Sequence, residues 1–315
     1  FGKLPIYPDF IRFNANGPEI QGLDQWFQEG IHWAKGKLGR SWETDFAQAD
    51  PWRFVFQPEG ANAFILGVAV PGRDVGGRQY PFILFLRIER VALQGPLSLS
   101  PLWAARFLDQ AVEAAQTGWK GMDVKGFLSF LGGLPVPDER EFASVQEDYL
   151  RYLRSQTMEN FWKSLCGDFK HPLKYVVDRN VADILGPLRQ TSLSRFGFGL
   201  RFPLFREETG EGYDLPFWFD LVSRRTGQEA VNPLFFWTRR PIGKNPHLLG
   251  FFQKPSPKNI LSLVRPDAES DFLCDLAPEP FVEKEIIPAR REVLDHGELT
   301  PAGFLDNAEK DGGNG

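Results

Sequence analysis

Residues 62–88 read NAFILGVAV over 62–70, PGRDVGGRQYP over 71–81 and FILFLRI over 82–88. The two outer segments are nearly all apolar, which indicates β-strands that are covered on both faces. The middle segment contains three glycines, and glycine adopts positive φ without steric cost, so this segment is predicted to be a turn or loop. The sequence therefore predicts two buried strands joined by a short polar connection.

Helices are predicted on both sides of this unit. Before it, apolar residues from Leu23 to Leu38 recur at spacings of three and four, and Gly39 provides a stop signal. Another strand candidate, Trp52–Gln57, lies between that helix and residue 62. After it, Ser100 can cap a helix over Ser100–Thr117, in which Pro101 takes the first helical position. The pattern predicts a globular protein of mixed α and β structure.

The second half of the chain returns to extended, aromatic segments. Four further strands are predicted, a hairpin loop is predicted at 241–246, and a short helix is predicted to begin at Ser256 and Pro257. The strand candidates are Leu193–Phe205, Pro216–Val222, Pro233–Thr238 and His247–Gln253.

The chain divides into three predicted regions. Gly and Pro residues at 132–137 separate an N-terminal domain, residues 1–131, from a C-terminal α/β region, residues 132–282, that packs on it. From residue 283 the apolar pattern fades, so residues 283–315 are predicted to form a polar tail that is disordered near its end. We expect two tightly packed parts and not two independent domains.

Composition excludes several classes of function. The formal net charge is −5, with 36 basic and 41 acidic residues, so a broad phosphate-binding surface for nucleic acid is not expected. No apolar run approaches the roughly 18 residues that span a bilayer, so membrane insertion is not expected. The two cysteines, Cys166 and Cys274, form no disulfide framework and are predicted to be buried thiols in a reducing cytoplasm.

The sequence offers no recognisable catalytic or cofactor motif. The four histidines are isolated from one another, so no metal site is predicted. No phosphate-binding loop of the G-x-x-x-x-G-K-[ST] type and no G-x-S-x-G nucleophile elbow occur. We therefore predict a protein that is not an enzyme and uses no metal or cofactor. A hydrolase of unrecognised type ranks last, because no nucleophile–base pair is visible.

Two polar loops remain as candidate binding elements. In the first, Arg73 and Arg78 flank backbone amides that could hold an anion, although a tight turn with either arginine paired to Asp74 is the commoner arrangement. In the second, Asp9 and Arg12 follow the opening residues, and a loop aspartate can equally cap its own turn. The predicted partner-binding residues are Lys3, Asp9, Arg12, Arg73, Asp74, Arg78 and Tyr80.

Four short blocks occur in a defined order within the first 81 residues. They are Gly2-Lys3-Leu4-Pro5 with Asp9-Phe10, Trp26-Phe27-Gln28, Pro51-Trp52-Arg53-Phe54, and Pro71 followed by Asp74, Gly77-Arg78 and Tyr80-Pro81. This order resembles that of the TagF (ImpM) family, which is associated with bacterial type VI secretion. Two departures are Pro8, where the family usually has glycine, and Gly72, where it often has serine.

The resemblance implies both a fold and a function. The implied fold is α/β (α+β), with mixed β-sheet flanked by helices in a layered α/β/α arrangement. The implied function is that of a non-enzymatic cytoplasmic accessory protein, which represses type VI secretion after translation by binding the forkhead-associated scaffold protein of that apparatus. The alternative prediction is a phosphate- or nucleotide-binding sensor that uses the Arg73–Arg78 loop. It requires a concave, positive pocket around Arg78.

Overall fold

A computed structural model describes residues 1–190, 192, 195–206, 212–228, 234–239, 245–266, 268, 270–278, 280–281 and 287–311. The described residues form one seven-stranded sheet with the strand order β3-β2-β1-β5-β6-β4-β7. Neighbouring strands are antiparallel except β4 and β7, which are parallel. The strands are β1 (Trp52–Phe56), β2 (Ala63–Val70), β3 (Phe82–Glu89), β4 (Gly199–Pro203), β5 (Leu234–Thr238), β6 (His247–Phe251) and β7 (Leu273–Asp275).

Helices cover both faces of the sheet. They are α1 (Pro18–Leu38), α2 (Trp42–Ala47), α3 (Ser100–Trp103), α4 (Ala105–Glu113), α5 (Val124–Leu131), α6 (Phe142–Ser155), α7 (Met158–Cys166), α8 (Leu173–Leu185), α9 (Asp214–Thr226), α10 (Ile260–Val264), α11 (Pro288–Asp295) and α12 (Pro301–Asp311). Among these described helices, none is both long and apolar enough to cross a bilayer.

The alternation of side chains along the strands explains the two apolar cores. In β1, Val55 faces one core, whereas its neighbours Phe54 and Phe56 face the other. In a strand, successive side chains point to opposite faces, so a strand that is apolar at every position serves two cores at once. One core is closed by α1, α2 and α10, and the other by α3–α9 with α11 and α12. The predicted layered α/β/α fold is confirmed.

The predicted unit at residues 62–88 is also confirmed. Strands β2 and β3 pair along their whole length, from Ala63 opposite Glu89 to Val70 opposite Phe82. Strand β2 is buried at every position, as its unbroken apolar sequence predicts.

The predicted strand Pro216–Val222 is wrong, because these residues lie within helix α9. Nearly every residue of α9 is buried, so its apolar run lacks the one-sided periodicity that identifies a surface helix. Gly227, in the left-handed conformation, ends it. The predicted helix Ser100–Thr117 is two α-helices with a break at Ala104, followed by a π-helical turn over Ala114–Gly118.

The C-terminal region contains more structure than we predicted. Helices α11 and α12 lie within the stretch that we expected to be a polar tail, and Leu294, Phe304 and Leu305 from them are buried in the core that contains α9. Both helices are short and mostly polar, so each contributes only a few apolar residues to the helical pattern. The pattern is therefore weak in the sequence. Residues 312–315 lie outside the described residues, as do 193–194, 233 and 241–244 of the predicted strands and loop.

The two predicted halves share the same sheet. Strand β1 from the first half pairs on one side with β2 and on the other with β5 from the second half. The proposed boundary at residue 131 stays a prediction.

Candidate functional site

The β2–β3 connection is a tight hairpin loop. The Tyr80 amide donates to the Gly72 carbonyl at 3.0 Å, and Arg73 pairs with Gln79 in a single bridge. The N-terminal segment lies against this loop so closely that a Cβ on Gly72 would be 2.4 Å from the Lys3 carbonyl oxygen. Only glycine permits this approach, which accounts for Gly72 at this position.

The buried carboxylate of Asp74 organises the loop. Its Oδ2 accepts from Lys3 Nζ at 2.5 Å and from Arg78 Nε at 2.7 Å, and its Oδ1 accepts from the Arg78 amide at 2.8 Å. These bonds join the N-terminal segment to the hairpin, since Lys3 and Asp74 are 71 residues apart. Hydrogen bonding from Lys3, aided by Arg78, lowers the pKa of Asp74 from 3.8 to about 2. Asp74 is therefore ionised at neutral pH.

Arg78 is exposed and links the hairpin loop to the N-terminal segment. Its Nη2 donates to the Pro8 carbonyl at 2.8 Å and lies 3.8 Å from Asp9 Oδ1. The Val75 amide donates to the Tyr7 carbonyl at 3.2 Å on the same side. The tip of the hairpin and the N-terminal loop therefore form one surface.

A second polar cluster lies beside the first and is centred on Asp24 of α1. The Tyr80 hydroxyl donates to Asp24 Oδ1 at 2.5 Å, and Arg12 Nη2 lies 2.5 Å from Asp24 Oδ2. The guanidinium of Arg12 also lies over the rings of Phe1 and Phe10. Burial, together with the bond to Asp24, raises the pKa of Tyr80 well above its usual value, so the hydroxyl stays protonated.

Five exposed residues on the joined loops define what we call the loop surface: Tyr7, Asp9, Arg73, Val75 and Arg78. Tyr7 is 40% exposed and Val75 is 64% exposed, so both present apolar surface to solvent. Among the described residues, none forms a hydrogen bond or ion pair with the Arg73 side chain. The loop surface thus presents two apolar groups and an unpaired cation on a rigid support.

The structure brings the seven predicted residues together, but with unequal roles. Lys3, Asp74 and Tyr80 are buried and support the loops, whereas Asp9, Arg12, Arg73 and Arg78 are exposed. Arg78 pairs with Asp74, which confirms the paired turn that we weighed against an anion site.

Sequence reasoning missed Asp24, Tyr7 and Val75. Asp24 occupies a position on the apolar stripe of α1 between Leu23 and Phe27, and a charge inside such a stripe was the available signal. Tyr7 and Val75 carry no such signal, because their exposure depends on how the two loops meet.

The described residues include scattered candidate metal ligands and two thiols. No group of three or more His, Cys, Asp or Glu among them is placed to hold a metal ion. Both cysteines are free thiols; Cys166 is buried as predicted, whereas Cys274 is half-buried. Burial raises the pKa of Cys166 to about 12, so its thiol is protonated and unreactive at neutral pH.

Comparison with known proteins identifies the N-terminal region. Residues 1–130 match the family model of the TagF N-terminal domain, described as type VI secretion system-associated, which confirms the predicted resemblance over these residues. No curated protein matches the chain. A solved structure, PA0076 from Pseudomonas aeruginosa PAO1, is similar at 21% identity and a TM-score of 0.39. The match covers 44% of this chain and 62% of that protein's chain.

Proposed function

Because residues 1–130 match the model of the TagF N-terminal domain, which is described as type VI secretion system-associated, we propose that the chain is a cytoplasmic accessory protein that represses this secretion system after translation. It acts by binding the forkhead-associated scaffold protein of the apparatus through the loop surface. In this proposal the chain is not an enzyme, and it represses secretion by binding the scaffold protein.

The observation that carries the proposal is the construction of the loop surface. Tyr7 and Val75 are exposed, yet the backbone beneath them is fixed by the buried Asp74 and by the bond between the Val75 amide and the Tyr7 carbonyl. Binding loses less conformational entropy when the contact residues are already held in place. Exposed apolar groups beside arginine are also typical of the centres of protein interfaces.

The alternative function, a phosphate or nucleotide sensor at Arg73–Arg78, has less support. The Arg78 guanidinium already donates to Asp74 and to the Pro8 carbonyl, so an anion at this position has to displace both acceptors. Arg73 is left as a single exposed cation, and isolated surface charges bind anions weakly. The sensor function stays a prediction for this loop.

Co-purification from a bacterium that carries its own type VI cluster tests the proposal. We expect the tagged chain to recover the forkhead-associated protein, and the variant Arg73→Glu to lose it together with repression of secretion. Arg73 is the better charge reversal, since reversing Arg78 also breaks the pair with Asp74. The matched control is Arg151→Glu on α6, an exposed arginine that pairs only with Asp148 three residues earlier among the contacts described.

Two outcomes count against the proposal. One is full repression by a folded Arg73→Glu variant, which removes Arg73 from the contact. The other is recovery of no secretion component from a folded sample at low salt, which favours a ligand-binding role.

A further inference from the structure

A cavity lies at the end of the sheet formed by β4, β6 and β7, away from the loop surface. It measures about 790 Å³ and is bounded by the end of β4, the start of β6, several described residues between Pro266 and Pro278, and the first residue of α8. A cavity of this size falls within the range that holds small molecules. We propose that it binds a small organic anion that carries a phosphate group or several carboxylates.

Arg201 provides the main evidence. Arg201 lies on strand β4 and lines the cavity, together with Pro203 at the end of the same strand. Its side chain is 16% exposed, and Nη1 donates to Asp275 Oδ2 at 3.0 Å. Its Nε and Nη2 are shielded from solvent and donate no hydrogen bond to any of the described residues.

Unpartnered N–H groups of a buried cation are rare, because their desolvation is not offset by a hydrogen bond. An anionic oxygen in the cavity removes that cost when the guanidinium turns towards it. Because a guanidinium presents two parallel donors, it suits phosphate and carboxylate in particular. Arg201 therefore favours an anion over a neutral ligand.

The remaining charges of the lining support the same ligand class. Arg206 adds a second cation, and Asp275 is the acidic group among the described lining residues. The first residue of the 13-residue helix α8 also borders the cavity, where the partial positive charge of a helix N-terminus adds to the field. With two arginines against one carboxylate, the described part of the lining is cationic, although the whole chain has a net charge of −5.

Asp275 competes with the ligand in this arrangement. Its carboxylate holds one edge of Arg201, and its Oδ1 also accepts from the Ala277 amide at 2.9 Å. Removal of the negative charge leaves Arg201 free to turn and raises the positive potential in the cavity. Loss of the Arg201 charge is thus expected to weaken anion binding, and loss of the Asp275 charge is expected to strengthen it.

Isothermal titration calorimetry of the full chain tests the proposal, with inorganic phosphate and citrate as separate probes and potassium chloride at matched ionic strength. We expect saturable binding of at least one probe, weakened about tenfold or more by Arg201→Gln and by Arg206→Gln, as for loss of a charge-assisted hydrogen bond. Asp275→Asn is expected to strengthen binding about threefold or more. Arg151→Gln, an exposed arginine on α6, is the control and is expected to change nothing.

The two probes distinguish the sources of the anion. Binding of phosphate alone identifies a phosphate-bearing ligand, and binding of citrate alone identifies a polycarboxylate. If Arg201→Gln fails to fold by circular dichroism, the exposed Arg206 still permits the test. The proposal is overturned if neither probe binds saturably up to about 20 mM, well above a Kd of about 1 mM. It is also overturned if folded arginine variants bind as the parent does.

Discussion

Among single residues, two buried acids, Asp74 and Asp24, support the loop surface from below. Asp74 and Asp24 each accept hydrogen bonds from residues far away in sequence, Lys3 and Tyr80. A buried carboxylate is tolerated only when its oxygens have such partners. The two acids therefore convert polar loops, which are usually mobile, into a fixed platform.

Replacing Asp74 with asparagine is expected to lower the thermal midpoint by several degrees, because an amide leaves Lys3 without its ionic partner in a buried setting. Asp9→Asn is the matched control, since Asp9 is exposed. Differential scanning calorimetry at neutral pH measures both. Equal midpoints for the two variants contradict the role given to Asp74.

The same variant has a predicted pH dependence. The pKa of Asp74 is lowered from 3.8 to about 2 in the folded chain, so its stabilising effect is complete above the unfolded value and is lost as the pH falls through the folded one. The difference in unfolding free energy between the parent and Asp74→Asn is thus expected to shrink from about pH 4 to pH 2. Urea unfolding across that range measures it, and a constant difference contradicts the assignment.

Tyr80→Phe tests the second acid. It removes the hydroxyl that donates to Asp24 and is expected to cost about 1–2 kcal/mol of unfolding free energy, since a buried acceptor loses its partner. Tyr7→Phe, at an exposed tyrosine, is expected to stay within about 0.5 kcal/mol of the parent. Denaturant unfolding of both variants provides the comparison, and similar losses for the two tyrosines rule out the Asp24 cluster as a support.

At the scale of elements, the close packing of α1 on α10 holds one helical layer together. A Cβ on Gly30 would lie 2.1 Å from Ile260 Cγ1 and 2.6 Å from the Pro257 carbonyl oxygen. Gly36, six residues further along α1, has nothing within 4 Å of the same position. One helix thus contains a glycine that packing requires and another that it does not.

Gly30→Ala is expected to destabilise the chain by about 1–3 kcal/mol, because the added methyl group forces α1 away from α10. Gly36→Ala is expected to stabilise it by up to about 1 kcal/mol through helix propensity alone. Urea unfolding of both variants measures the two effects, and stabilisation by both substitutions contradicts the packing described here.

Prediction from sequence succeeded for elements whose pattern is local and failed where tertiary contacts decide. Strands β2 and β3 were predictable because an apolar run of eight residues between turn signals has few alternatives. Helix α9 was not, since it is buried on nearly all sides and its residues also suit a strand. In the site, the loops were predictable, but the pairing of Tyr80 with Asp24 spans 56 residues and leaves no local signal.

At the scale of the whole molecule, the two halves depend on each other through the sheet. Strand β1 lies inside the sheet, where Arg53, Phe54 and Val55 pair with β5 from the second half. Without β5, the buried edge of β1 and both apolar faces beside it become exposed. Exposed apolar strand edges promote association between chains.

The fragment 1–131 is therefore expected to lack a cooperative unfolding transition and to associate during size-exclusion chromatography, whereas the full chain unfolds cooperatively. A monomeric fragment with a cooperative transition would instead show that the N-terminal region is an independent domain. Strand β1 would then be stable without the pairing to β5.

The most direct test of the loop surface is the affinity of the purified chain for the forkhead-associated protein of its own secretion system, compared between Val75→Asp and Val91→Asp. Val91 is 89% exposed and lies beyond the far end of β3, about 25 Å along the strand direction, so it is the matched control. We expect Val75→Asp to weaken binding at least about tenfold, as for loss of an apolar contact at an interface centre, and Val91→Asp to bind as the parent does. Equal affinities for both variants, with both proteins folded, would contradict the account.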